Sequence, residues 1–244
     1  MQFSKWHGLG NAYLIARRSE LDAPLTPERV KKLCADEESD GIVEIVSMTD
    51  SEADVVIWNP DGSTSEMSGN GTRIAARWLA DRTGVRAVTI RTGTREVRAQ
   101  MLKPPLVQTD LGEYSAEETE TIEAAGETIE FVPVSVGNPH AVVRGDPADA
   151  TRLGPIIERH PRFPNRTNVQ LVRVDSRHDV TVGIWERGAG ATPASGSSAA
   201  AVVVAAVSRD WCESPVTVHM EGGDLEVSLE EGRVLLVGPA EPVA

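Results

Sequence analysis

The sequence predicts an α+β protein of two similar domains, each a curled mixed β-sheet wrapped around a central helix, and three observations predict it. Short β-branched runs alternating with polar residues recur along the 244 residues, while helical periodicity is rare. Two glycine-rich turns, residues 65–71 and 194–198, each lead into an apolar segment. Aligning Ser68 with Ser195 offsets the halves by 127 residues (195 − 68), about half the chain. The order of strands, loop, glycine turn, apolar helix and strands therefore occurs twice, as a duplication would produce.

In the first half a helix is predicted from Thr26 to Asp36, with Thr26 as cap, Pro27 in the first turn and Glu28 after it. Strands are predicted at Glu44 to Ser47, Ala53 to Trp58, Val85 to Arg91 and Glu96 to Met101, with a helix over Gly71 to Asp81 after the first glycine turn. Pro104, Pro105 and the acidic, strand-poor stretch Gly112 to Glu120 mark the boundary, giving domains 1–113 and 114–244. The whole chain reads as globular, with disorder a minor alternative confined to the ends and the acidic stretch around Glu117 to Glu120. The second half predicts strands at Ile129 to Val136, His140 to Val143, Asn168 to Val174, Val180 to Trp185, Val216 to Met220 and Arg233 to Val237, and a helix within Ala148 to His160. The run Ala199 to Val207 has no polar face, so as a helix it must be buried all round and the sheet must wrap it. Periodicity alone leaves a strand open there; the preceding glycine turn, with Ser195 or Ser197 as cap, favours the helix.

Lys and Arg number 24 against 37 Asp and Glu, a net charge of −13. Such a field repels phosphate backbones and anionic lipid surfaces, so neither nucleic acid nor a membrane is expected as a partner. Cys34 and Cys212 lie far apart in no metal-binding or redox spacing, and nothing near Met1 resembles a signal sequence, which points to the cytoplasm. Both cysteines read as structural.

The twin turns suggest the chemistry. A helix start presents unpaired backbone N–H groups and the positive end of the macrodipole, so it binds a carboxylate or phosphate without a lysine. Two such starts suit one anion, with Ser68 and Ser195 flanking the atom attached to it; for an amino acid that atom is the α-carbon. Taken singly, each serine also suits a plain N-cap. Nucleotide-binding glycine motifs are absent, and so is the Gly-x-Ser-x-Gly elbow of serine hydrolases.

The blocks KWHGLGN at 5–11, NPDGSTSEMSGNGTR at 59–73, VGNPHAV at 136–142, TNVQ at 167–170 and WERGAGATPASGSSAA at 185–200 resemble, in order, the signature blocks of the diaminopimelate epimerase family. The resemblance implies an isomerase of lysine biosynthesis with its active site in the cleft between two domains, and with the last strand, about Arg233 to Val237, crossing back to the first. It implies no pyridoxal phosphate, no metal and no other cofactor, and it leaves a homodimer open, since family members are often dimeric. Asn11, Asn59, Asn138, Asn168, Glu186 and Arg187 are implied to hold a small amino-acid substrate, chiefly at its distant end. The N–H groups near Gly69, Asn70, Gly196 and Ser197 are implied to hold the reacting carboxylate, and His140 and Glu186 to sit beside the two catalytic positions.

Those two catalytic positions, cysteines in the family, are Ser68 and Ser195 here. A thiol is readily brought to thiolate by a helix start, whereas an alcohol, about as weak an acid as water at roughly 15.7, stays protonated. Ala12, Ala191, Ser198 and the shortened stretch DEESDG also depart from the family pattern, and a deliberate pair of Cys-to-Ser changes would have left these alone. The expectation is a naturally diverged isomerase acting at the α-carbon of an amino acid resembling diaminopimelate, with Glu186 or His140 supplying the base. The alternatives are a lyase, dehydratase or other isomerase on the same fold, a silent amino-acid binder, and an inactivated epimerase.

Overall fold

The computed structural model describes residues 3–65, 68–93 and 95–243; Glu66 and Met67 of the first glycine-rich stretch lie outside the described residues. The chain forms two compact units, one of residues 1–110 with 237–244, the other of residues 111–236. Both are mixed sheets of short strands with few helices.

The duplication is written in the strand register. In the first unit, strand Asn11–Arg17 runs parallel to Ile42–Met48 with Leu14 opposite Ile42. Ile42 then lies opposite Trp58 of the antiparallel strand Glu52–Trp58, and Trp58 opposite Thr64. In the second unit Ala141 lies opposite Val169, Val169 opposite Trp185, and Trp185 opposite Ala191. Each of these four positions is displaced by 127 from its counterpart, the same spacing as the two serines. The correspondence slips by one residue elsewhere: Trp6 faces Tyr13 but Val134 faces His140, a bulge between Ile45 and Ser47 shifts the first unit, and Ala53 faces Ile90 but Val180 faces Val218.

Four helices matter. Helix α1, Pro27–Asp36, is capped by Thr26, whose Oγ1 accepts from Arg29 N at 3.3 Å, and it buries Val30 and Cys34 against Leu14, Leu25 and Ile42. Helix α2, Gly69–Thr83, packs against the strands of its own unit and ends at Gly84 with φ 76°, a left-handed C-terminal residue that glycine adopts without strain. Helix α3, Ala150–Glu158, covers the second sheet through Leu153 and Ile157. Helix α4, Gly196–Ser208, is surrounded by strands of the second unit, and residues 199–206 have no exposed surface. This excludes the strand reading of Ala199 to Val207: a helix pairs its own backbone and leaves all its faces to valine and alanine packing. Among the described residues no helix is long and apolar enough to cross a membrane.

Several strands escaped the sequence reading, including Ser4–Gly8, Asn11–Arg17, Leu106–Glu113 and Gly223–Glu230. The acidic stretch is ordered too, since Glu120–Ala124 pairs with Glu127–Ser135, Ile122 opposite Ile129. Only Ile122 and Ala124 of that strand are buried, so a sequence dominated by outward glutamates and threonine carried little hydrophobic signal. Cys34 and Cys212 are buried free thiols, and burial raises the pKa of both.

Candidate functional site

The first half-site is built on the N-terminus of α2. Ser68 is its N-cap, with φ −133° and ψ 120°, and Ser68 Oγ accepts from Gly71 N at 3.0 Å. The cap reading of this serine is correct. The same oxygen lies 3.0 Å from the hydroxyl of Tyr13, a buried residue of strand Asn11–Arg17. The backbone N–H groups of Gly69 and Asn70 remain without a protein partner among the described residues. Asn70 is buried; its Nδ2 donates to Asn11 Oδ1 at 3.2 Å and its Oδ1 accepts from Arg73 Nη2 at 2.6 Å. Asn59 Nδ2 donates to Ser63 Oγ at 2.9 Å within the turn of residues 59–63.

The second half-site is built on α4, and its serine behaves differently. Ser195 occupies the N-cap position with φ −150° and ψ 123°, yet neither it nor Ser197 caps the helix with a side-chain bond. Instead Ser195 Oγ donates to Glu186 Oε2 at 3.1 Å, with Ser197 Oγ 3.4 Å away. The N–H groups of Gly196, Ser197 and Ser198 are without a protein partner among the described residues. Because Ser195 does not spend its oxygen on the helix, this turn keeps one more N–H for an anion than the first.

Glu186 and Arg187 sit on a turn held from two sides. Glu158, only 2% exposed, accepts from Trp185 Nε1 at 2.9 Å and Gly188 N at 3.0 Å, gripping both ends of the turn. Burial alone would raise the pKa of Glu158, but those two donors and the charge of Arg166 overcome it and hold the carboxyl below its ordinary range. Asn168 Oδ1 accepts from Arg187 N at 2.9 Å, and Asn168 Nδ2 donates to Pro139 O at 2.9 Å, tying the turn to the loop before His140. The arrangement has a counterpart 127 residues earlier, where Trp58 Nε1 donates to the buried Glu44 at 3.0 Å. The two glutamates come from unlike places, a strand and the end of α3, so sequence alignment of the halves does not pair them.

His140 is 2% exposed, and its Nε2 is 3.0 Å from Asn138 Oδ1. Burial, offset in part by Gln170 and reinforced by the charge of Arg187, pushes its pKa down to about 3. The imidazole is therefore neutral near pH 7 and a poor proton acceptor, against the expectation that it shares the role of base. Two surface cavities, about 680 Å³ beside Arg144 and Trp211 and about 410 Å³ beside Arg18 and Trp58, are lined by neither serine.

Comparison with known proteins matches the same two halves. The family model for diaminopimelate epimerase matches residues 3–116 and 132–242, one segment for each half-site. The diaminopimelate epimerase of Pelotomaculum thermopropionicum is 35% identical over 271 residues, covering 100% of this chain and 97% of its own. The chain belongs to the diaminopimelate epimerase family. It is thus a member of a family of isomerases. Among solved structures, a hydroxyproline epimerase from Agrobacterium vitis, with bound trans-4-hydroxy-L-proline, superposes with a TM-score of 0.71 at 16% identity, covering 100% of this chain and 91% of that one. A Bacillus anthracis phenazine biosynthesis protein gives 0.73 at 15% identity, covering 100% and 98%. At such identities these two share the fold with this epimerase-family chain.

Tyr13, Arg73, Glu158 and Gln170 were not singled out from the sequence. The matched tryptophans Trp58 and Trp185 offered a signal, since two indoles at equivalent positions each need a hydrogen-bond acceptor. For Arg73 the signal was an arginine inside an apolar helix.

Proposed function

We propose that this protein is a pyridoxal-phosphate-independent isomerase acting at the α-carbon of an amino acid resembling diaminopimelate, with Ser68 and Ser195 in the two acid and base positions. The observation that carries the reading is the Ser195 hydroxyl donating to Glu186 at 3.1 Å beside three unpartnered helix N–H groups. Those N–H groups bind the α-carboxylate and stabilise charge that moves onto it when the α-proton leaves. Ser195 Oγ removes that proton as it passes its own to Glu186, so a free alkoxide never forms. With His140 neutral and buried, the base is Glu186.

At the other position the Ser68 oxygen accepts from Gly71 N–H and lies 3.0 Å from the Tyr13 hydroxyl, and in this reading Tyr13 is the donor of that pair. This leaves the Ser68 hydrogen to be given to the carbanion while Tyr13 replaces it. Arg187 and Glu186 supply a cation and a carboxylate for the remaining amino-acid end.

Unlike partners, a carboxylate at one serine and a phenol at the other, favour a second reading as well. A reaction that needs one strong base and one weaker acid, such as elimination or a proton shift, suits this asymmetry better than symmetric epimerisation. Incubation with meso-diaminopimelate and with β-hydroxy amino acids in deuterated water separates the readings. Deuterium at the α-carbon with inversion is the expected result; an unsaturated product without inversion would favour the lyase. No exchange with any diamino or β-hydroxy acid would sink both.

A further inference from the structure

Arg73, in the first turns of α2, has no exposed surface at all. Its Nε donates to Pro239 O at 3.0 Å and its Nη2 to Asn70 Oδ1 at 2.6 Å, while Nη1 is buried with no hydrogen-bond partner among the described residues. No carboxylate among the described residues forms an ion pair with it, and burial alone lowers its pKa, to about 10, so it keeps its charge at neutral pH. A buried, unpaired cation is costly, and the chain makes room for it: a Cβ on Gly8 would lie 2.8 Å from Arg73 Nη2.

The chemistry of the three side chains gives the arrangement a direction. A guanidinium only donates, so Asn70 must turn its oxygen toward Arg73. Its nitrogen then faces Asn11, and Asn11 Oδ1 accepts at 3.2 Å. Asn11 Nδ2 is left with both hydrogens uncommitted among the described residues. Were Arg73 neutral and able to accept, both amides could reverse, and Asn11 would present an oxygen instead.

We propose that Arg73 is a positioning residue that fixes the donor polarity of the first half-site, a relay through Asn70 to Asn11 that presents an amide NH2, and a positive field, to a substrate carboxylate. Arg73 itself stays out of reach of the substrate. The proposal rests on the amino-acid reading above for the identity of the anion, and on the hydrogen bonds alone for the relay.

The test uses the full chain with Arg73→Lys, which can still only donate, and Arg73→Gln, which can accept. Side-chain amide NMR signals of Asn11 are recorded, followed by calorimetric titration with diaminopimelate. The Asn11 signals are expected to hold in the lysine variant and move in the glutamine variant, and affinity to fall by about tenfold in the latter and by less in the former, as for one charge-assisted hydrogen bond. Asn70→Asp keeps a partner for Arg73 but has no hydrogen to give Asn11, so it should reproduce the Asn11 shift even if the arginine variants fail to fold. Unchanged Asn11 signals in the glutamine and aspartate variants, or equal losses with lysine and glutamine that track stability, overturn the relay. Wild-type protein that binds no diaminopimelate while its Asn11 signals respond as described would count against the amino-acid reading and support the relay.

Discussion

Ser68 and Ser195 occupy equivalent positions in a frame duplicated at a spacing of 127 residues, but their hydroxyls have parted company. Ser68 holds a helix N–H and a phenol; Ser195 releases its helix and holds a carboxylate. Equal backbone placement thus fixes where an oxygen sits and leaves its hydrogen-bond polarity to the neighbours. Glu186 takes the Ser195 hydrogen, whereas the Ser68 oxygen accepts from Gly71 N–H with the Tyr13 hydroxyl beside it.

The most severe way to break the comparison is to remove the carboxylate. Glu186→Gln should lower α-proton exchange by about 10²–10⁴, the usual weight of a general base, whereas Tyr13→Phe should lower it by about tenfold; equal losses in deuterium incorporation would show the two positions to be alike. A second test uses pH. His140 has an ordinary value of 6.5 and a folded value of about 3, so the unfolded chain binds its proton first and stability is lost as pH falls from 6.5 toward 3. Urea unfolding of wild type and His140→Gln across that window should diverge by about 4–5 kcal/mol, with the variant the less pH-sensitive.

The helices behind the serines differ as well. Val203, fully buried in α4, stands 127 residues after Ala76 of α2. Val203→Ala should cost about 2 kcal/mol in chemical denaturation, because the strands around α4 close only partly on the smaller side chain. The smallest and sharpest contrast lies in the serines themselves. Ser68→Ala should cost about 1 kcal/mol as a lost cap, while Ser195→Ala should stay within about 0.5 kcal/mol. A reversed order in thermal melts would contradict the two capping geometries.

Much of this was legible before any coordinates. The glycine turns, the apolar all-round helix and the displacement of 127 pointed to a duplicated α+β frame, because periodicity and punctuation are local properties of sequence. Most strands predicted from β-branched runs formed within a residue or two of their expected ends. Strand Asn11–Arg17 was not anticipated, since its glycine-flanked start and run of buried residues lack alternation. The polarity at each serine was invisible for a different reason. Tyr13 lies 55 residues from Ser68, and the grip of Glu158 on Trp185 spans 27. Such pairings depend on which faces the strands bring together, and a single sequence does not encode them in its spacing.

The bond from Arg73 to Pro239 joins residues 166 apart in the chain, and the strand Glu241–Pro242 pairs with Ser4–Gly8. A ribosome that has delivered residues 1–236 has therefore delivered both serines and both central helices, but the first unit still lacks a strand and the buried guanidinium still lacks its carbonyl. Closure of the first unit therefore depends on residues 237–242, a non-local step that comes after both half-sites have been made, and a chain cut at residue 236 carries both serines but leaves Arg73 without its carbonyl acceptor.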